Sequence, residues 1–222
     1  DTLVLTMQNG LGNEEEIGRI LTNMKFKNPG ERILGGTAFL CSHRDLPGTV
    51  YHTAHGWVQL AEFRGAARER THAIAGLFHS AGIRCEVLDS LAEARWRKLV
   101  WNITFNGLGV AVPGGDTSAI LGDERLAATA RGLMQETIAA ARADGGEIEA
   151  ALIDKMMADT AIMDAYKSSM QIDFENRRPL EVEAILGEPL RRAQRGGIAV
   201  PRLEMLYGIV RRADALLRAG EV

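Results

Sequence analysis

The chain of 222 residues is 46% hydrophobic and 25% charged, with a formal net charge of −3, which is typical of a globular protein with one or two hydrophobic cores. So slight a charge gives no reason to expect nucleic acid or an anionic membrane as partner, and no apolar run reaches the roughly 18 residues that a membrane span needs. Two cysteines without C-x-x-C spacing favour a reducing compartment, so we expect a cytoplasmic protein.

The first part of the chain alternates between strand-like and helical patterns. Strands are predicted for "TLVLTM" and "IRCEVL", helices for "NEEEIGRILTNM" and "ARERTHAIAGLFHSAG", and a hairpin for "RILGGTAFLCS" with "GTVYHTAHGWVQLAEF". The second helix is predicted to end at Gly82, because glycine readily adopts the conformation that ends a helix. Since the chain opens on a strand of buried type without an initiator Met, we expect it to be the later part of a longer protein.

The glycine pair Gly10-x-Gly12, between the first strand and the first helix, looks like the start of a dinucleotide-binding loop. That loop needs a third glycine three residues later, where this chain has Glu15 in the acidic run Glu14–Glu16. Three carboxylates at a helix N-terminus would repel a phosphate, so we predict that this turn does not bind one. Asn9 would then end the strand where open α/β sheets bind ligands, either offering its amide to a ligand or serving only as a turn residue.

The acidic run also has a local explanation. Asn13 is predicted as the N-cap of the first helix, with Glu16 at position N3 in a variant of the capping box. The apolar residues that follow recur at helical spacing and are predicted to form the buried stripe of this helix: Ile17, Ile20, Leu21 and Met24.

Beyond Asp89 the strand signals end and helical patterns continue along the chain. Ser90 is a predicted N-cap for "SLAEARWRKLVWNITFNGLGVAV", and Gly145-Gly146 closes "DERLAATARGLMQETIAAARADGG". The same pattern is found in "IEAALIDKMMADTAIMDAY", "PLEVEAILGEPLRRAQRGG" and "PRLEMLYGIVRRADALLRAG". We therefore predict a boundary near residue 89, with an α/β part over residues 1–89 and an all-α part over residues 90–222.

Lys98, Asn102 and Asn106 recur at every fourth position within a largely apolar segment, "RWRKLVWNITFNGL". On a helix this spacing places all three side chains on one face over about 12 Å. A lysine beside two amides in a mostly dry groove suits polarising or protonating a carbonyl oxygen. The alternative is a lysine that reaches solvent and two asparagines that satisfy neighbouring backbone groups.

A second polar group lies in the segment "KSSMQIDFENRRPLEVEAILG". Ser168 and Ser169 could cap a helix or bind an anion through their hydroxyls. Pro179 is predicted in the first turn of a new helix, where Glu181 would either serve a functional site or only complement the helix dipole.

Cys41, His43, His52 and His55 lie within 15 residues of one another, a density that suggests zinc. Neither C-x-x-C nor H-E-x-x-H spacing is present, and Cys41 and His43 would share one side of a strand. We therefore predict no metal site.

In chain order, these segments resemble the ketopantoate reductase (2-dehydropantoate 2-reductase) family. The resemblance is carried by "QNGLGN", "GGTAFLCS", "ARWRKLVWNITFN", "SSMQIDFENRRPLEVEAILG" and "GIAVP". It implies the C-terminal part of a Rossmann-type NADP-binding domain over residues 1–89. Residues 90–222 would form an all-helical substrate and catalytic domain, like the C-terminal domain of 6-phosphogluconate dehydrogenase. The implied activity is the NADPH-dependent reduction of 2-dehydropantoate to pantoate, in pantothenate and coenzyme A biosynthesis.

The resemblance also implies roles for residues of the helical part. Lys98 corresponds to the family's catalytic lysine, which hydrogen-bonds and protonates the ketone oxygen. Asn102, Asn106 and Ser169 correspond to substrate-binding residues, Ser169 through the substrate carboxylate. Glu181 corresponds to a catalytic glutamate that also faces the cofactor.

In the first part of the chain, Asn9 corresponds to an asparagine that contacts both cofactor and substrate. Ser42 falls where the family contacts the cofactor through its backbone. A further substrate asparagine of the family has no clear counterpart here, and the nearest candidate, Asp116, is an acid that would meet an anionic substrate badly. This difference leaves a paralogous reductase of another small 2-oxo acid as an alternative.

The family's G-x-G-x-x-G loop and the basic residue that selects NADPH are not found in these 222 residues. We therefore expect the chain alone to bind NADPH poorly and to be inactive. A non-catalytic helical module for binding or dimerisation is the remaining alternative. Besides a small 2-oxo acid, a second copy of the chain is an expected partner, since an apolar helical face would suit a homodimer.

Overall fold

The computed structural model describes residues 2–44 and 46–221, without the side chains of His43, Arg44 and Thr53. The chain divides into two compact units, which we call unit 1 (Asp1–Arg95) and unit 2 (Trp96–Val222). The boundary predicted near residue 89 precedes the long helix Leu91–Ala111, and the first turn of that helix belongs to unit 1.

Unit 1 contains a four-stranded sheet in the order β1-β2-β3-β4. Its strands are β1 (Val4–Thr6), β2 (Ile33–Arg44), β3 (Val50–Glu62) and β4 (Arg84–Val87). β1 and β2 are parallel, β2 and β3 form an antiparallel hairpin, and β3 and β4 are parallel. Two helices, α1 (Asn13–Asn23) and α2 (Glu69–Ser80), and a 3₁₀ turn (Pro29–Arg32) connect the strands. The predicted strands, hairpin and helices are confirmed.

Helix α2 covers one face of this sheet. Val58 and Leu60 are two residues apart in β3, so their side chains point to the same face of the sheet. There they pack with Ala75 of α2 and Cys85 of β4. Gly82 follows α2 with φ 77°, as predicted for the residue that ends this helix.

The predicted N-cap of α1 is wrong. The cap position is taken by Gly12, whose φ of 90° is left-handed, and Asn13 is the first residue of the helix. The Asn13 side chain therefore accepts no capping bond and instead donates from Nδ2 to the Asn9 carbonyl at 2.9 Å. Glu16 bonds Arg19 at 2.5 Å, so the predicted capping box does not form. The cap position is one residue earlier than predicted, because Gly12 can adopt positive φ, although asparagine has the better capping side chain.

The predicted buried stripe of α1 is also wrong. Ile20 and Met24 are 45% and 63% exposed, while Ile17 and Leu21 are half-buried. The buried side chain of this helix is instead Glu14. Helical spacing shows which side chains share a face, but it does not show whether another element packs against that face.

The described residues of unit 2 form helices joined by turns and include no strand, which confirms the predicted all-α part. Its helices are α3 (Leu91–Ala111, beginning in unit 1), α4 (Thr117–Gly122), α5 (Glu124–Ala143), α6 (Ala151–Ala161), α7 (Ser169–Glu175), α8 (Glu188–Arg195) and α9 (Pro201–Ala219). A π-helical turn (Glu183–Gly187) leads into α8. Within residues 2–44 and 46–221, no helix is long and apolar enough to cross a membrane.

Helix α3 contributes many of the buried side chains of the unit 2 core. It begins with the predicted cap, since the Glu93 amide donates to Ser90 Oγ at 3.2 Å. Its apolar residues that are at most 1% exposed are Trp96, Leu99, Val100, Ile103 and Phe105. These residues of the largely apolar segment are therefore buried in the helix.

Two glycines let other elements approach α3 closely. A Cβ on Gly107 would lie 2.5 Å from Leu206 of α9. A Cβ on Gly109 would lie 3.2 Å from both the Ser168 hydroxyl and the Gln171 side chain. The absence of a side chain at these two positions brings α9 and the start of α7 onto the backbone of α3.

Pro179 does not lie in the first turn of a helix, contrary to the prediction. The helical backbone begins at Val182, and the Leu180 amide donates to the Asp214 carboxylate of α9 at 2.8 Å. This long-range bond holds the segment outside the helix. Glu181 immediately precedes the helix, and its carbonyl accepts from the Ile185 amide at 3.1 Å.

Candidate active site

Three polar side chains lie on the otherwise apolar helix α3, and we call them the polar stripe: Lys98, Asn102 and Asn106. All three belong to one continuous helix, as predicted, so their four-residue spacing places them on one side of it. Lys98 is half-buried, whereas Asn102 and Asn106 are 6% and 1% exposed. The stripe thus runs from a partly solvated ammonium group to fully buried amides.

The Asn106 amide has a hydrogen-bond donor that is not used. Its Oδ1 accepts from the Met170 backbone amide at 3.4 Å. Its Nδ2 is buried and has no hydrogen-bond partner among the residues that the structure describes. Because an unsatisfied buried donor costs about 1–3 kcal/mol, a ligand oxygen at this position would be favourable.

The start of α7 lies against the stripe. Ser168 is its N-cap, and the buried Ser168 hydroxyl accepts from the Gln171 amide at 3.3 Å. Ser169, the first residue of α7, is exposed and immediately precedes Met170, whose amide bonds Asn106. The structure therefore brings the Ser169 segment next to Asn106, and it gives the two serines different roles, a cap and a hydroxyl open to solvent.

Glu181 is exposed and stands directly before the helical backbone of Val182. The π-helical turn that follows is held by Glu183, whose carboxylate accepts from the Tyr207 hydroxyl at 2.7 Å and from Arg191 at 2.8 Å. Burial raises the pKa of Glu183, but these two hydrogen bonds outweigh burial and hold that pKa below its usual value. Glu183 is therefore an ionised structural group beside the candidate residue Glu181.

In unit 1, Asn9 lies in the turn between β1 and α1. Gly10 and Gly12 have φ angles of 84° and 90°, so the turn uses conformations that favour glycine. Asn9 is half-buried, and because β1 is parallel to β2 it follows the carboxyl end of a parallel strand, where α/β sheets bind ligands. Its amide suits a neutral hydrogen-bonding group.

Ser42 lies in the outer half of β2, where it pairs with His52 of β3 next to an irregularity in the register. Its side chain is exposed. Asp116, the weak candidate for a substrate residue, is the N-cap of α4, and its Oδ1 accepts from the Ala119 amide at 2.8 Å. Capping alone accounts for an acid at this position.

Arg95 and Glu14 form a buried ion pair in unit 1 that sequence reasoning missed. From the sequence, Glu14 is one of three acids at the start of α1, and no role is predicted for Arg95. A single sequence gives no signal that these two side chains meet, because they lie 81 positions apart.

Among the side chains that the structure describes, no three His, Cys, Asp or Glu residues come together as metal ligands. His43, which was weighed as a ligand, has a side chain outside that described set. Cys41 and Cys85 are both buried.

Two sequence models of one family match the chain. "Ketopantoate reductase PanE/ApbA" matches residues 1–65, and "Ketopantoate reductase PanE/ApbA C terminal" matches residues 90–214. A 2-dehydropantoate 2-reductase from Nostoc sp. is 38% identical to the chain, over 100% of this chain and 69% of that relative.

Solved structures show the same similarity. The 2-dehydropantoate 2-reductase from Geobacter metallireducens GS-15 has a TM-score of 0.88 and 43% identity, covering 95% of this chain and 68% of that one. A D-mandelate dehydrogenase in complex with NADH has a TM-score of 0.85 at 22% identity, covering 98% of this chain and 71% of that one. This second likeness concerns the fold alone.

Proposed function

The chain belongs to the ketopantoate reductase family of oxidoreductases, and on that premise we propose that the protein reduces 2-dehydropantoate to pantoate with NADPH. The reaction would serve pantothenate and coenzyme A biosynthesis. The observation that carries the proposal is the buried Nδ2 of Asn106, which has no hydrogen-bond partner among the described residues and lies on the same helix face as Lys98. Such a donor suits the oxygen atoms of a small 2-oxo acid.

In this mechanism the polar stripe acts on the substrate ketone. The Lys98 ammonium group donates a hydrogen bond to the ketone oxygen and transfers its proton as negative charge develops there. Asn102 and Asn106 orient the 2-oxo acid, and their burial keeps competing water away from their amides. The Ser169 hydroxyl, exposed at the start of α7, donates to the substrate carboxylate. When bound, NADPH supplies the hydride.

Three of the candidate residues suit the cofactor, whereas the N-terminus of α1 does not suit its phosphate groups. In unit 1, the half-buried Asn9 amide and the Ser42 backbone would hold neutral hydrogen-bonding groups of the cofactor. In unit 2, the Glu181 carboxylate would accept a hydrogen bond from one of the cofactor's donor groups. The N-terminus of α1 does not suit a phosphate, because its first turn carries three glutamates. We therefore assign no phosphate contact of NADPH to α1.

The test is Lys98→Ala in the protein expressed from its complete coding sequence. With NADPH and 2-dehydropantoate, kcat should fall at least about 100-fold, because a general acid has been removed. Lys155→Ala is the matched control, since Lys155 is exposed on α6 and pairs with Asp159, and it should keep the wild-type rate. Near-wild-type turnover by Lys98→Ala would remove Lys98 from this role.

A second candidate is a reductase of another small 2-oxo acid. The family's further substrate asparagine has no clear counterpart in this sequence, and this difference favours the second function. A panel of 2-oxo acids with NADPH separates the two functions by their ratios of kcat/KM. If an acid other than 2-dehydropantoate is reduced more efficiently, the second function replaces the first.

A further inference from the structure

A buried ion pair lies beneath the turn that carries Asn9. The side chains of Arg95 and Glu14 are 3% and 4% exposed, and Arg95 Nη2 donates to Glu14 Oε1. Removing two charges from water costs several kcal/mol per ion, which their mutual attraction often only offsets. A gain in stability is therefore a weak explanation for the presence of this ion pair. The other contacts of the pair indicate its role.

Those contacts are with the backbone on the N-terminal side of Asn9. Arg95 Nη1 donates to the Gln8 carbonyl, and Nη2 also approaches the Thr6 carbonyl at 3.4 Å. The Asn9 carbonyl is held by the Asn13 side chain. Hydrogen bonds thus fix the main chain both immediately before Asn9 and at Asn9 itself.

The turn needs such support because of its composition. Gly10 and Gly12 both adopt positive φ, and glycine loses more conformational freedom on ordering than any other residue. The planar guanidinium group reaches several acceptors in fixed directions, which a lysine cannot do. The Asn9 amide therefore depends on contacts from outside the turn for its direction.

Glu14 occupies a space that the sheet leaves for it. A Cβ on Gly35 of β2 would lie 2.5 Å from Glu14 Oε1, so a larger residue at that position would displace the carboxylate. Glu14 in turn neutralises Arg95 and orients its guanidinium group. The pair is a built feature of unit 1 and not an incidental surface contact.

We propose that Arg95 and Glu14 are positioning residues, which fix the Asn9 turn so that its amide meets cofactor and substrate in one orientation. The proposal rests on the role proposed above for Asn9. Arg95 acts through the backbone of Thr6 and Gln8, and it contacts neither substrate nor cofactor itself.

The main variant is Arg95→Lys in the protein expressed from its complete coding sequence. This variant keeps a positive charge beside Glu14 but loses the planar guanidinium group and its several N–H donors. We expect kcat/KM to fall about 10- to 100-fold, because a misplaced binding group slows the reaction by this much. Asn9→Ala should cause a comparable loss. The double variant should be no worse than Asn9→Ala alone, because both changes remove the same interaction. Losses that multiply would overturn the proposal.

A second measurement is independent of activity. Amide hydrogen exchange at Gly10, Leu11 and Gly12 should become at least about tenfold faster in Arg95→Lys, because the turn opens more often. Arg202→Lys is the matched control, since Arg202 bonds the buried Glu136 at 3.0 Å in unit 2, and it should leave these amides unchanged. Unchanged exchange in Arg95→Lys would overturn the proposal whatever the activity.

Glu14→Gln provides a variant of the same shape in case Arg95→Lys does not fold. It should accelerate exchange and lower kcat/KM in the same direction, and wild-type values for both would remove Glu14 from the proposal. If the wild-type protein reduces no 2-oxo acid with NADPH, the proposed function fails. The exchange measurement still decides whether the pair holds the turn.

Discussion

Asn106 combines two demands on one side chain. Its Oδ1 serves the fold by accepting from the Met170 amide, while its buried Nδ2 serves no group in the part of the chain that the structure describes. Buried polar atoms are nearly always paired in folded proteins, so an exception at a candidate site indicates a donor kept for a ligand. With the role proposed for Asn106, stability would be lowered at this residue in favour of binding.

Replacing Asn106 by leucine separates the two demands. Asn106→Leu removes the unsatisfied donor but leaves the Met170 amide without its acceptor, and each change is worth about 1–3 kcal/mol with opposite sign. We therefore expect the melting temperature to change little while KM for the 2-oxo acid rises at least about tenfold. Thermal unfolding and steady-state kinetics on one preparation check this, and an unchanged KM would contradict it.

Glu62 makes a pH-dependent contribution to the stability of unit 1. Burial raises the pKa of Glu62, but hydrogen bonds from Arg70 and Thr71 outweigh burial and hold it below the usual 4.5. A carboxyl whose pKa is lowered by folding stabilises the native state above pH 4.5, and this contribution is lost as the pH falls through the lowered pKa.

Glu62→Gln should therefore be less stable than wild type by about 1.5–3 kcal/mol at pH 7, the value of hydrogen bonds to a charged group. The difference should narrow below about pH 4, where the wild-type carboxyl also becomes neutral. Urea unfolding at several pH values measures it. A difference that stays constant from pH 7 to pH 3 would show that the charge of Glu62 is not involved.

Among the elements, α3 shows how a helix is determined by sequence. Its start follows from the Ser90 cap, and its buried faces follow from apolar residues at helical spacing. Both features are local, so the sequence predicts them. The polar stripe was predicted for the same reason, since a four-residue spacing fixes a common face.

Ser90→Ala tests the cap of α3 directly. The Glu93 amide would lose its acceptor, and we expect the free energy of unfolding to fall by about 1 kcal/mol. Ser80→Ala is the control, because Ser80 lies in the last turn of α2 and its hydroxyl bonds the Gly76 carbonyl; it should change stability by less than about 0.5 kcal/mol. Equal losses of unfolding free energy in the two variants would mean that the Ser90 cap does not stabilise α3.

Other elements depend on partners far along the chain and were not predicted correctly. The cap of α1 moved to Gly12, two residues of its expected stripe are exposed, and Pro179 stands outside its helix because Asp214 holds Leu180. Periodicity and capping rules describe neighbours within one helix. These rules carry no information about a glycine turn that precedes the helix or about a carboxylate that reaches it from another helix.

For the molecule as a whole, the change from an α/β part to an all-α part was predicted because strand and helix patterns have different periods. The catalytic assignments came instead from a resemblance to a family, since spacing alone left both a functional and a structural interpretation of the polar stripe. Arg95 and Glu14 were found only in the structure. A contact between distant positions leaves no trace in the periodicity of one sequence.

The glycines of α3 have a consequence for anyone who wants a more heat-resistant version of this protein. Exchanging helical glycines for alanine is a standard route, worth about 0.5–1 kcal/mol each, yet at Gly107 the added methyl group would collide with Leu206 at 2.5 Å. Gly76 of α2 and Gly208 of α9 have, apart from the neighbouring backbone of their own helices, no described atom within 4 Å of the methyl position. Calorimetry should show a higher melting temperature for Gly76→Ala and Gly208→Ala and a lower one for Gly107→Ala.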